Sequence, residues 1–305
     1  MLAGIFALMA ALDAICYWRP LAVFDESLAA WLRIEGVHSE YVQLGDFRIH
    51  YLTGGQGEPL VLVHGLAGRA ENWALLMPGL MHHGRKVYAL DLLGFGRSDR
   101  PDVDYSIALQ TRMLDQFFTA QNLARADLGG WSMGGWVALK FALAHPERVR
   151  RLFVADSAGL YFRPAFNLGL FQPTTVSQAQ ELLALLTPEG KRLPRFVARD
   201  YLRRLASTRW VVARASRSML EGDDLVDGKL GALPMPVLII WGKLDAIIPV
   251  ECGGRLQRQI PQSRLDVFDG CGHLAPGECR DRVLPEILQF LAADPPLGGG
   301  SREFQ

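Results

Sequence analysis

Gly130-Trp131-Ser132-Met133-Gly134-Gly135 stands where a short apolar run, residues 126–130, must turn into a helical stretch that starts near residue 134. A serine on such a strand-to-helix turn sits on a tight, strained bend. Glycines two before and two after it let the chain fold back without side-chain clashes, leaving the hydroxyl exposed at the carboxyl end of a sheet. The pentapeptide alone also occurs in unreactive glycine-rich turns, so its reading depends on its surroundings. Trp131 reads equally as pocket wall or as core filler.

Outward from this turn the chain alternates between strand and helix patterns. Residues 41–44, a Gly45-Asp46 turn and residues 47–52 read as an antiparallel hairpin. The runs 59–63, 87–90, 126–128, 152–154, 237–240 and 265–268 are too short for helices and mostly lack alternation, as parallel strands buried on both faces do. Helical periodicity fills residues 71–82, 105–122, 134–144 and 281–292. The expected architecture is α/β, a mostly parallel, doubly wound sheet.

Residues 158–231 interrupt that rhythm with helical patterns at 175–187, 195–206 and 208–220 and no clear strand, which predicts a helical cap inserted between core segments 35–157 and 232–294. At its entry Leu160, Tyr161, Phe162, Phe166, Leu168, Leu170 and Phe171 follow no period, as in an irregular segment leaning over a pocket. The cap arginines Arg199, Arg203, Arg204, Arg209 and Arg214 read as a solvated face. Residues 295–305, rich in Pro and Gly, read as a flexible tail.

Residues 1–18 are apolar except for Asp13, and residues 21–34 place Leu21, Phe24, Leu28, Trp31 and Leu32 mostly on one helical face. Two readings stay open for segment 1–34. One is an anchor or interfacial helix at a membrane surface, the remainder being cytoplasmic; the other is an arm packed on the protein itself. An acidic residue near the centre of a span costs roughly 2.5 to 3.5 kcal/mol, and no basic residue precedes the stretch.

Lysine plus arginine equals aspartate plus glutamate, 32 each, among 305 residues of which 50% are hydrophobic. Such a chain can bury a large core, and it presents no net field for nucleic acid. Cys16, Cys252, Cys271 and Cys279 lack C-x-x-C spacing, which argues against a zinc site and against a disulfide scaffold; Cys271 reads as a small buried thiol. The redox compartment stays open.

A serine nucleophile needs a base. Of the seven histidines, only His273 stands on a glycine-flanked loop, Gly270-Cys-Gly-His, directly after the last apolar run. Asp245, in Trp241-Gly-Lys-Leu-Asp, follows the preceding run and would hold the imidazole in the required tautomer. Asp156, two residues past Val154, is a rival acid. His38, His50, His82, His83 and His145 read as surface residues. For the oxyanion, the amides of Met133 and Leu66 are the candidate donors. His64 braces the loop that carries Leu66, and Asp91–Pro101 lacks G-x-G-x-x-G and a P-loop lysine, so it reads as structural.

His64-Gly65 with Trp73 nine residues after His64, the Asp91–Pro101 loop, Gly130–Gly135, Trp241–Asp245 and His273 with Glu278 five later resemble the α/β-hydrolase superfamily over residues 40 to 292. Within it, the apolar N-terminus, Ile240-Trp-Gly-Lys, Gly270-Cys-Gly-His and Ser157-Ala-Gly-Leu resemble membrane-anchored monoacylglycerol lipases and related bacterial esterases. The resemblance implies Ser132 as nucleophile with Asp245 and His273, Leu66 and Met133 as oxyanion donors, and no cofactor or metal. The apolar N-terminus and the apolar residues at the cap entry, which can wall an acyl chain, point to short to medium-chain esters or monoacylglycerols as small-molecule substrates. Arg280, where many relatives have proline, departs from the pattern at the start of the final helix. A carbon–carbon bond hydrolase or a perhydrolase of this fold is the rival enzymatic reading, and a non-catalytic binding protein the rival of another class. The former typically carries a more glycine-rich oxyanion loop and a tryptophan after the histidine, where this chain has Leu66-Ala67 and Leu274.

Overall fold

A computed structural model describes residues 17–190, 192–221, 224–294 and 299–305. Nine strands form one sheet: β1 His38–Leu44, β2 Phe47–Gly54, β3 Glu58–Val63, β4 Arg85–Leu90, β5 Ala126–Trp131, β6 Val149–Ala155, β7 Val237–Gly242, β8 Arg264–Phe268 and β9 Gly300–Phe304. Their order is β1-β2-β4-β3-β5-β6-β7-β8-β9. The β1–β2 hairpin turns at Gly45-Asp46 and joins β4 antiparallel; every later pairing is parallel. The helices are α1 Pro20–Ile34, α2 Met77–His82, α3 Ile107–Ala120, α4 Met133–Ala144, α5 Val176–Leu186, α6 Arg195–Leu205, α7 Arg209–Glu221, α8 Val250–Gln259, α9 Ala275–Glu278 and α10 Arg280–Ala292.

The strands lack alternation because both faces of the sheet are covered. Val61, Val63, Leu128, Val154 and Ile239 pack into one core with α3, α4 and α8, while Leu60, Leu62, Phe153, Leu238 and Ile240 pack into a second with α2 and α10. Successive side chains of each strand thus enter opposite cores. Three helices, α5 to α7, lie in the excursion between β6 and β7. Of the aromatic residues at its start, Phe162, Phe166 and Phe171 pack on the first core, Phe166 edge-on to Phe171, and Tyr161 is exposed.

Several sequence expectations need correction. Residues 300–304 are a strand. Arg302 pairs with Asp266 and Glu286, and Phe304 stacks on Phe268 at 4.7 Å, so long-range contacts order a stretch that looks like a tail. Residues 295–298 lie outside the described ones. Cys271 and Cys279 form a disulfide, because α9 turns the chain back on itself between them; Cys252 is a free, buried thiol. His50 is fully buried rather than on the surface, with its ring against Asp91. The cap arginines are largely partnered: Arg204 with Asp25, Arg203 with Asp200 and the Trp18 carbonyl, Arg214 with Asp102, and Arg199 over the Trp18 ring.

Of the N-terminal segment, residues 1–16 lie outside the described residues. Helix α1 starts with Pro20, where the missing N–H costs nothing. It lies along α6: Asp200 accepts from the Leu21 amide at 3.0 Å, and Asp25 bridges Arg69 of the core and Arg204 of the cap. Among the described residues no helix is long and apolar enough to cross a membrane.

Candidate active site

β5 ends at Trp131, and Ser132 follows with φ 56° and ψ −121°, a left-handed backbone that a serine adopts only when its neighbours impose it. Four hydrogen bonds do so: the Ser132 amide to Ala155 O at 2.9 Å, and the amides of Gly135, Ala158 and Trp136 to Ser132 O at 3.0, 3.1 and 3.3 Å. Gly134 has no alternative residue, since a Cβ there would lie 2.2 Å from the Val63 carbonyl oxygen. The helix α4 can therefore start directly behind the serine.

The loops after β7 and β8 deliver the other two groups. Asp245 is fixed by the amides of Ile247 and Ile248, which donate to Oδ1 at 2.8 and 2.9 Å. Its Oδ2 accepts from His273 Nδ1 at 2.8 Å, and His273 Nε2 lies 2.9 Å from Ser132 Oγ. The side chains of Asp245 and His273 are buried, and Ser132 is half-buried. Residues 132, 245 and 273 are thus one continuous hydrogen-bonded chain. With Nδ1–H committed to the carboxylate, Nε2 is left to accept a proton.

Further contacts hold the histidine loop. The Leu244 amide donates to Cys271 O at 2.8 Å, and the Gly272 amide to Glu278 Oε2 at 3.0 Å. The indole N–H of Trp131 donates to His273 O at 2.7 Å. Trp131 is therefore neither plain core filler nor plain wall, a role that no local pattern announces. Glu278 does stand at a motif-like spacing from His273; burial raises its carboxyl above the usual range despite the Gly272 bond.

Asp156, the rival acid, lies outside that chain. It is fully buried with φ 46°, and its Oδ1 accepts from the Gly242 amide at 2.8 Å. Burial, followed by the charge of Asp245, pushes its carboxyl well above the ordinary value, which favours the neutral acid.

Met133 is the first residue of α4, so its amide is one of the first-turn donors without an intrahelical acceptor. Leu66 sits on the loop after β3. A Cβ on its neighbour Gly65 would meet Ser132 Cβ at 3.0 Å, so the loop touches the serine and glycine permits the approach. His64 braces this loop: Nδ1 is 2.7 Å from Gly65 O, and Nε2 accepts from the Leu92 amide at 3.0 Å. Burial lowers its pKa and keeps it neutral. The Asp91–Pro101 loop is likewise structural at its root, where Asp91 accepts from the amides of Ala70 and Arg97. A cleft of about 560 Å³ opens between Ala184 and Leu185 of the cap and Leu244 and Ala246 of the core, and none of Ser132, Asp245 and His273 lines it. Among the described residues no cluster of His, Cys, Asp and Glu is placed to hold a metal.

With this fold and this arrangement in view, the chain belongs to the alpha/beta hydrolase family, whose model matches residues 60–286. It is 33% identical over 260 residues, 80% of this chain and 90% of the relative, to a 2-hydroxymuconate semialdehyde hydrolase of Pseudomonas sp. (strain CF600). It is 30% identical over 266 residues, 83% and 90%, to a 2-hydroxy-6-oxo-6-(2'-aminophenyl)hexa-2,4-dienoic acid hydrolase of Metapseudomonas resinovorans. Among solved structures, it superposes with a TM-score of 0.81 and 25% identity on a membrane phospholipase A described as a bacterial virulence factor, over 95% of this chain and 97% of that one. The protein is a hydrolase; the bond it cleaves is a separate question.

Proposed function

We propose that the protein is a serine hydrolase that cleaves carboxylic esters of short to medium acyl chains, including monoacylglycerols, through an acyl-enzyme. The observation that carries this reading is the Ser132 Oγ to His273 Nε2 to Asp245 Oδ2 chain of 2.9 and 2.8 Å. Ser132 Oγ attacks the ester carbonyl carbon as its proton passes to His273 Nε2, while Asp245 holds Nδ1–H and balances the imidazolium. The amides of Leu66 and Met133 receive the negative oxygen of the tetrahedral intermediate. Collapse expels the alcohol, which takes the proton from Nε2. Water then repeats the sequence, releasing the acid and restoring Ser132.

Two observations favour an apolar ester. The structural match to the membrane phospholipase A extends over 95% of the chain at a TM-score of 0.81, whereas that to a meta-cleavage product hydrolase from Pseudomonas fluorescens covers 83% at 0.75. Exposed Tyr17, Trp18 and Phe24 at the start of the described chain follow the apolar residues 1–16, a composition suited to a membrane surface. We extend the proposal to membrane attachment through residues 1–34.

Carbon–carbon bond hydrolysis is the second reading, favoured by what the two curated relatives are named for. Against it stand Leu66-Ala67 and Leu274, in place of the glycine-rich loop and tryptophan typical of such enzymes. One panel separates the two. The kcat/KM for p-nitrophenyl esters from acetate to palmitate should rise severalfold over the first added carbons, because each buried methylene contributes up to about 0.8 kcal/mol. Monoacylglycerols should be turned over, and a 2-hydroxy-6-oxo-dienoate should not. Faster turnover of the dienoate than of any ester would overturn the ester assignment. A fluorophosphonate should label wild type at Ser132 and not Ser132→Ala; a folded wild type that resists labelling would overturn the serine mechanism itself.

A further inference from the structure

A second serine, histidine and aspartate lie in line at the β1 edge of the sheet. Ser39 Oγ of β1 is 2.9 Å from His50 Nε2 of β2, and His50 Nδ1 is 2.7 Å from Asp91 Oδ2 after β4. These distances match those of the Ser132 chain within 0.1 Å. Hairpin register creates the arrangement: Tyr41 lies opposite His50, so Ser39, two residues earlier, is diagonal to His50 on the same face.

The environment suits a nucleophile as well. His50 and Asp91 have fully buried side chains, and Ser39 is exposed. Burial pushes the Asp91 carboxyl up, but the hydrogen bond from His50, together with that from the Arg97 amide, holds Asp91 below the usual range and ionised. The Tyr41 ring packs edge-on to His50 at 5.1 Å, and Arg97 Nη1 is 3.2 Å from Ser39 Oγ and 3.4 Å from His50 Nε2, its other arm held by Glu71. A cationic donor thus stands beside the hydroxyl, favouring its ionised form, and beside the imidazole that would take its proton, which it holds toward the neutral form.

We propose that Ser39 is a second nucleophilic serine, an acyl-acceptor site for small activated carboxylic esters arriving from solvent at the β1 edge. Ser39 Oγ forms a bond to the carbonyl carbon while its proton moves to His50 Nε2. Asp91 holds Nδ1–H, and the guanidinium of Arg97 faces the developing oxyanion. The carbon–oxygen bond to the leaving group breaks, and that group departs with the proton from His50. The product is an ester on Ser39.

The test uses full-length Ser132→Ala protein, which removes the main site, with p-nitrophenyl acetate as probe and peptide mass spectrometry as readout. Ser39 should be acetylated at least about tenfold faster than the exposed Ser27 and Ser207, and His50→Gln should slow it by about a hundredfold. Ser39→Ala in an otherwise native chain should leave hydrolysis at Ser132 unchanged. Labelling of Ser39 no faster than of the two control serines, or indifferent to His50→Gln, overturns the proposal. Should His50→Gln fail to fold, the Ser132→Ala protein in urea replaces it: selectivity for Ser39 must vanish there, and selectivity that survives unfolding overturns the proposal equally.

Discussion

The indole nitrogen of Trp131 donates to the carbonyl oxygen of His273 across 142 residues of chain. The residue immediately before the proposed nucleophile therefore fixes the backbone of the proposed base, and the rings of Trp131 and His273 lie 5.6 Å apart. The ends of β5 and of the loop after β8 are locked to one another, so the distance from Oγ to Nε2 does not depend on the triad's own hydrogen bonds alone.

Trp131→Phe keeps most of the ring contact and removes that donor. A hydrogen bond of this kind contributes about 1 kcal/mol net, so kcat should fall roughly five- to tenfold with KM little changed. Steady-state kinetics on a soluble ester decides it, and an unchanged kcat would mean that the remaining contacts hold His273 unaided.

Asp245→Asn should lower kcat/KM by about 10³- to 10⁴-fold, because an amide imposes the wrong tautomer on the imidazole. Asp156→Asn, which resembles the neutral acid, should cost far less. A reversed ranking would transfer the acid's role to Asp156.

The raised carboxyl of Asp156 also predicts how stability depends on pH. The folded state keeps a proton that the unfolded chain releases above about 3.9, so this contribution to stability is complete below that value and is lost as pH rises through the folded value. Asp156→Asn has no such proton to hold. Its Tm relative to wild type should therefore climb between pH 4 and pH 8, and a constant difference in thermal melts would contradict a raised Asp156. Glu278, displaced in the same direction, adds to the slope of both proteins.

His273 lies inside the span closed by Cys271 and Cys279, eight residues apart. Closing so short a loop restrains the unfolded chain by about 2.5 kcal/mol. Replacing both cysteines by serine should lower the urea midpoint accordingly and reduce kcat severalfold, with the fold retained. Equal midpoints and rates would mean that Leu244, Glu278 and Trp131 suffice to place the loop.

Removing residues 1–16 should release the protein from membranes and leave soluble-ester turnover intact. Removing residues 1–34 should also weaken that turnover, because Asp25 then no longer joins Arg69, near the Leu66 loop, to Arg204 of the cap. Fractionation and kinetics on both truncations test this; a full-length protein that stays in the soluble fraction contradicts the attachment.

Ser132, Asp245 and His273 could be found in the sequence because each sits just beyond a short apolar run, two of them framed by glycines, so local chemistry marks them. The sheet was legible for a similar reason, as strands buried on both faces leave unbroken Val, Leu and Ile. The features missed depend on distant partners. His50 is buried by a loop 41 residues away, and the register that sets Ser39 beside it is not a property of either segment. Gly300-Ser-Arg-Glu-Phe carries little strand propensity, and its pairing rests on Asp266, Glu286 and Phe268. The cysteine pair needed the turn of α9, which spacing alone does not reveal.

β9 also has a consequence for the solution behaviour of the protein. Without residues 299–305, β8 would present an open row of amides and carbonyls flanked by Phe268, a template on which another copy could add a strand. The bulk and charge of Arg302 and Glu303 now occupy that border. Removing residues 299–305 should therefore raise the tendency of the protein to self-associate, which light scattering on storage would read.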